Sequence, residues 1–103
     1  MEYLLVLQLP ASSSLSAYDL LISLEESIRE GIEDFAAVRG HDIGSGEMNI
    51  FLFTEKPKLA LERIKVMPSG ANHMSNMKVG CREVGEVEYT PLYPEGLKQF
   101  AVV

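Results

Sequence analysis

Two stretches of the chain are apolar at nearly every position, Tyr3-Leu4-Leu5-Val6-Leu7-Gln8-Leu9 and Met48-Asn49-Ile50-Phe51-Leu52-Phe53-Thr54. Successive side chains on a strand alternate faces. Met48, Ile50 and Leu52 therefore take one side of the second stretch, and Phe51 and Phe53 the other. A strand apolar on both faces has to be covered on both, which predicts two central strands. Pro10 ends the first. Gly44-Ser45-Gly46 forms the hairpin turn into the second, because glycine reaches positive φ without steric cost.

The remaining pattern is half apolar. From about Ala17 to Glu30, Leu20 or Leu21, Leu24, Ile28 and Ile32 recur at three- and four-residue spacing and predict a helix with one buried stripe. Ser16-Ala17-Tyr18-Asp19 has a capping-box form at its start, and Gly31 marks its exit. Glu25, Glu26, Arg29, Glu30 and Glu33 fall largely off the stripe and read as a solvated face. Phe35 to Ile43 alternates weakly, with Phe35, Ala37, Arg39, His41 and Ile43 on one side, as an edge strand would. Pro57 opens a second helix; Leu59 or Ala60, Ile64 and Met67 line its stripe, and Pro68-Ser69-Gly70 ends it. Ala71 to Asn76 reads as loop. Met77, Val79 and Cys81 alternate with Lys78, Gly80 and Arg82 as a second edge strand. From Gly85 the chain reads as an extended tail.

The order strand, helix, strand, strand, helix, strand predicts an α+β fold of the ferredoxin-like βαββαβ kind: an antiparallel sheet, two helices on one face, and a C-terminal extended tail. Residues 1–85 form the domain and residues 86–103 a tail packed on it. In that arrangement the first and third strands are central, which agrees with their two-sided apolar pattern. The face away from the helices needs a cover. The tail, with Tyr89, Leu92, Tyr93, Leu97 and Phe100, is one; a second copy of the chain and a ligand are the others. Phe51, Phe53 and Tyr93 are the expected interface residues, and a homodimer is one expected outcome.

Composition narrows the partners. A chain of 103 residues carries one core, and its 47% hydrophobic content supports packing. Fifteen acidic against nine basic residues give a net charge of −6, which disfavours nucleic acid and anionic membrane and favours a basic protein partner. Cys81 stands without a second cysteine, which fits a reducing compartment. The start, Met-Glu-Tyr, lacks the positive region of a signal peptide. The expectation is a cytoplasmic protein.

No motif carries chemistry outright. Phe51 and Phe53 are spaced like the stacking aromatics of an RNA-recognition strand, but Glu47 and Glu55 flank them where that motif wants basic and glycine residues. Gly44-Ser45-Gly46 leads into a strand, not into the helix of a phosphate loop. Ser12-Ser13-Ser14 could hold an anion or simply cap a helix. His41, Asp42, Glu47 and His73 are not at metal-ligand spacing, so no metal or other cofactor is expected. Cys81 reads as a buried, inert thiol.

The Ile43-Gly44-Ser45-Gly46-Glu47-Met48-Asn49-Ile50-Phe51 hairpin and the Tyr89-Thr90-Pro91-Leu92-Tyr93-Pro94 tail resemble a group of small bacterial proteins to which no activity is assigned. The resemblance covers about a third of the chain. It implies a ferredoxin-like, stand-alone bacterial protein and supplies no catalytic residue. The reading that results is a non-enzymatic protein-interaction module, of an immunity or regulatory kind, working through the acidic helix face and tail. The alternative is a small-molecule-binding domain or modest enzyme with a pocket at the open sheet face, whose polar groups are drawn from His41, Asp42, Glu47, Asn49, Arg82 and Tyr89.

Overall fold

The computed structural model describes residues 1–11, 15–32, 36–44, 46–67 and 73–102. Its elements are β1 (Tyr3–Pro10), α1 (Leu15–Ile32), β2 (Ala36–Gly44), β3 (Glu47–Thr54), α2 (Pro57–Val66), a 3-10 turn at Met74–Asn76, β4 (Lys78–Glu83) and β5 (Thr90–Tyr93). The strands form an open five-stranded sheet in the order β2-β3-β1-β4-β5. Every neighbouring pair is antiparallel. β1 and β3 are central, and they pair without a break from Tyr3 opposite Thr54 to Pro10 opposite Glu47. Among the described residues, no helix is long and apolar enough to cross a membrane.

Leu5, Leu7 and Leu9 of β1, Met48, Ile50 and Leu52 of β3, and Val79 and Cys81 of β4 form one face of the sheet. They pack against Leu21, Leu24, Ile28 and Ile32 of α1 and Ala60, Leu61 and Ile64 of α2. Each fully buried aliphatic side chain in this layer contributes about 1.5–3 kcal/mol relative to exposure. The opposite face carries Leu4 and Val6, which Phe100 covers, with Phe51, Phe53, Tyr89, Leu97 and Val102 around them. The C-terminal segment is therefore a cover of that face.

Five expectations are corrected. The tail supplies a fifth strand, so β4 is not an edge and the described order differs from the four-strand arrangement expected. Pro91 and Pro94 hid this strand, since proline is tolerated only where a strand is an edge. α1 begins at Leu15, so Ser16 is a helical residue and not the cap; residues 12–14, where the serine loop was placed, lie outside the described residues. Gly31 does not end α1. It lies within the helix, and a Cβ there would meet the Met67 side chain, so its role is close approach. Met74–Asn76, read as loop, is a 3-10 turn.

The fifth correction concerns β2. Val38 pairs with Leu52 but Gly40 with Phe51, so Arg39 is an extra residue in a bulge. A bulge flips the alternation after it. Ala37 lies opposite Phe53 and Arg39 leans over that ring, whereas Val38 joins the helix-side core and His41 lies opposite Ile50 of the same core. The described residues expected on one side of this strand are thus divided between two, and Phe35 lies outside the described residues. The hairpin closes with Gly44 opposite Glu47 and Gly46 at φ 79°; Ser45 lies outside the described residues.

Candidate functional site

Five of the six polar residues expected to line a ligand site are distributed over three places, and Glu47 stands apart from all of them. The β2 bulge turns His41 towards α1, where its Nδ1 lies 2.8 Å from Glu25 Oε2. Glu25 Oε1 is 3.7 Å from Arg29 Nη2, one helical turn on. Arg29 Nη1 donates to the Val38 carbonyl at 3.2 Å. The Tyr18 ring stands edge-on to His41 with centroids 6.0 Å apart. Glu25 is only 8% exposed although α1 is a surface helix. The cluster gives the buried carboxylate one close polar contact, from His41, and a longer ion pair with Arg29, and it fastens the β2 edge to the helix, covering a backbone carbonyl that an incoming strand would otherwise use.

Asp42, next in sequence, lies on the other face. Asn49 Nδ2 donates to Asp42 Oδ1 at 2.8 Å. Gln8 Nε2 donates to Asn49 Oδ1 at 3.0 Å and to the Ala101 carbonyl at 2.9 Å. Gln8 is opposite Asn49 and Asn49 opposite Asp42, so the row crosses three strands in register and ends on the tail. Gln8 and Asn49 are buried. Among the described residues, no buried side-chain nitrogen or oxygen lacks a hydrogen-bond partner. This row is a closed seam that positions the cover over the sheet. Glu47 stands apart from both groups, half-exposed at the hairpin, opposite Pro10 and Gly44.

Arg82 and Tyr89 come together in the third place, the connection between β4 and β5. The Arg82 guanidinium lies 5.7 Å from the Tyr89 ring centroid, and its Nη1 donates to the Glu86 carbonyl at 2.8 Å. The Tyr89 ring packs on Phe100 at 5.3 Å. Val84 N donates to the Glu2 carbonyl and Glu86 N to the Glu83 carbonyl, each at 2.9 Å, while Gly85 takes φ 99° to make the turn. The loop is thus anchored at both ends. Its apex nevertheless exposes Val87 by 87% and Val84 by 48%, among the side chains of Glu83, Glu86 and Glu88. A cavity of about 480 Å³ opens on one side, lined by Tyr3, Cys81, Arg82 and the loop. A groove of about 630 Å³ runs on the other, between Val87–Tyr89 and Lys98–Val102.

Of the expected interface residues, Phe51 and Phe53 are half-buried on the tail-covered face, with the Arg39 guanidinium 5.2 Å above the Phe53 ring. Tyr93 packs on the helix side, with Lys65 Nζ 5.1 Å from its centroid, so these three do not form one patch. Cys81 is buried, and burial pushes its thiol up from the ordinary value, with Lys58 opposing in part; the thiol is protonated at neutral pH.

Gln8, Val84 and Val87 were not among the expected site residues, and Glu25, expected on the solvated acidic face of the first helix, is buried instead. Glu25 had a readable signal, because it stands four residues after Leu21 and three before Ile28, inside the buried stripe. Gln8 had one too, as a polar residue in a strand that is otherwise apolar. Nothing in the pattern marks Val84 or Val87. No family model matches the chain, and neither a curated relative nor a solved structure matches it significantly.

Proposed function

We propose that this chain is a protein-interaction module, a ferredoxin-like core with an added edge strand, that binds a basic partner through the loop joining β4 and β5. The run β2-β3-β1-β4 with both helices on one face supports the core assignment. The exposed Val87 between Glu86 and Glu88 carries the binding reading. An apolar side chain held at the apex of an anchored loop costs solvation when free. Buried against a partner it contributes about 1.5–3 kcal/mol. The surrounding carboxylates favour a cationic counterpart and speed its encounter. A protein with this reading has a regulatory or immunity-type role, in which occupancy of the partner is the activity.

A small-molecule site between sheet and tail is the weaker reading, because Phe100 fills that space against Leu4, Val6 and Gly80. The test places a photo-crosslinking residue at position 87 and, as control, at Val66, which is 72% exposed on α2. Cross-linking in the native cells to a basic protein from position 87, absent from position 66 and suppressed by Glu86→Lys with Glu88→Lys, is the expected result. Equal cross-linking from both positions, or none from 87, refutes the assignment.

A further inference from the structure

We propose that the cleft between the start of α2 and β5, on the helix side of the sheet, binds a small organic anion with an apolar body, such as a medium-chain carboxylate. The cleft measures about 390 Å³, towards the small end of ligand pockets. Tyr3, Leu59, Cys81 and Leu92 form its apolar part, and Lys56 and Lys58 stand on its rim. Glu55 is the opposing charge there, which leaves the rim net positive in a chain whose net charge is −6.

Three observations converge on this ligand class. Leu59 is 44% exposed at the mouth, an apolar surface that a hydrocarbon chain would cover. Neither the Lys56 nor the Lys58 ammonium has an ion-pair or hydrogen-bond partner among the described residues. Both cations are available, and the Lys58 charge acts on the Cys81 thiol at the inner end of the cleft. Finally, α2 has no side-chain cap at Lys56, and Pro57 lacks an N–H, so the amides of its first turn remain open to an acceptor arriving beside the two lysines. The carboxylate would take the rim, and the chain would lie over Leu59 and Leu92 towards Tyr3. The cleft shares Tyr3, Cys81 and Thr90 with the cavity beside the β4–β5 loop, but of the two Val87 lines only the latter, so substitutions at Val87 leave the lining of the cleft intact.

The probe is octanoate, with octanol as its uncharged counterpart, added to the full chain and followed by amide chemical shifts. Alkylation of Cys81 by a neutral maleimide is followed in parallel. Expected are saturable shifts at Lys58, Leu59 and Leu92, slower alkylation of Cys81, and much weaker effects with octanol. Lys56→Glu with Lys58→Glu weakens octanoate by about tenfold or more, the scale for reversing two exposed charges beside an anion. Both lysines are exposed, and an unchanged unfolding midpoint shows the variant is folded. Absence of saturable shifts up to about 10 mM, a range that spans weak millimolar sites, overturns the proposal. So does equal binding of octanol, or shifts confined to the tail groove; the first comparison stands on the unmodified chain alone.

Discussion

Gly80→Ala tests how the C-terminal segment is held. Gly80 lies on β4 opposite Val6 of β1 and Pro91 of β5, so its backbone is fixed from both sides. A Cβ built there would lie 2.9 Å from Phe100 Cε1 and closer still to Cδ1 and Cγ, so the ring has to leave. Positive φ occurs at Gly40, Gly46, Gly85 and Gly96 but not at Gly80, and alanine is compatible with its backbone. Losing a buried phenylalanine costs about 1.5–3 kcal/mol, and the Gln8–Ala101 hydrogen bond about 0.5–1.5 kcal/mol more if the tail moves with the ring. Against this, alanine restricts the unfolded chain and returns about 0.4–1 kcal/mol. With the tail displaced, the net expectation is a destabilisation of about 1–4 kcal/mol. In a Phe100→Ala background the clash is absent, and Gly80→Ala then stabilises by about 0.4–1 kcal/mol. Urea unfolding of the four proteins, read by far-UV circular dichroism and tyrosine fluorescence, gives the coupling directly. If Gly80→Ala costs the same in both backgrounds, Phe100 is not packed on Gly80 and the covered face has been misassigned.

Three further outcomes follow from the buried polar groups. Asn49→Ala removes two of the three hydrogen bonds of the cross-strand row and destabilises by about 1–3 kcal/mol, with faster amide exchange around Ala101 as the local signature; unchanged exchange there would break the link between row and tail. Glu25→Ala costs about 1–2 kcal/mol and opens the β2 edge to exchange, whereas the exposed neighbour Glu26→Ala stays within about 0.5 kcal/mol; equal effects would place Glu25 on the solvated face after all. Burial holds the Cys81 thiol above its ordinary value of 9.0, so the unfolded chain releases this proton at lower pH than the folded one. Its contribution is complete below pH 9.0 and is lost as pH rises towards the folded-state value. Unfolding free energy measured from neutral to alkaline pH therefore falls more steeply than in Cys81→Ala, and parallel slopes would refute the burial argument.

The central strands were legible because two-sided apolar patterning has a single structural solution, and β1 and β3 occupy it. Three of the corrections, on the tail strand, the end of α1 and the β2 bulge, have a common origin in glycine and proline. Gly31 and Gly80 both permit close approach, to Met67 and to Phe100. In the sequence the first looks like a helix exit and the second like a polar alternation of an edge strand. Each depends on a residue at least 20 positions away, information that local pattern does not contain. Gly40 is different. An isolated glycine within a strand pattern signals a bulge, and reading it so would have placed His41 on the helix side.

That one bulge residue decides what the candidate site can be. His41 and Asp42 are adjacent, and a regular strand would also send them to opposite faces; the bulge determines which faces. With Arg39 inserted, His41 meets Glu25 while Asp42 meets Asn49. Two polar groups that look like halves of one ligand site become closures of two separate seams, one fastening a helix to an edge strand and one fastening the tail to the sheet. The same logic explains why Gln8 and Asn49 interrupt otherwise apolar strands. A one-residue slip between β1 and β3 would separate them and leave two buried amides unsatisfied, so the pair fixes register as well as cover. Polar residues with this much structural work have their hydrogen-bonding capacity already engaged inside the protein. The groups left with capacity for a partner are at the opposite pole, on the loop around Val87 and on the lysine rim of the α2 cleft, where neither alternation nor periodicity marks a residue in advance.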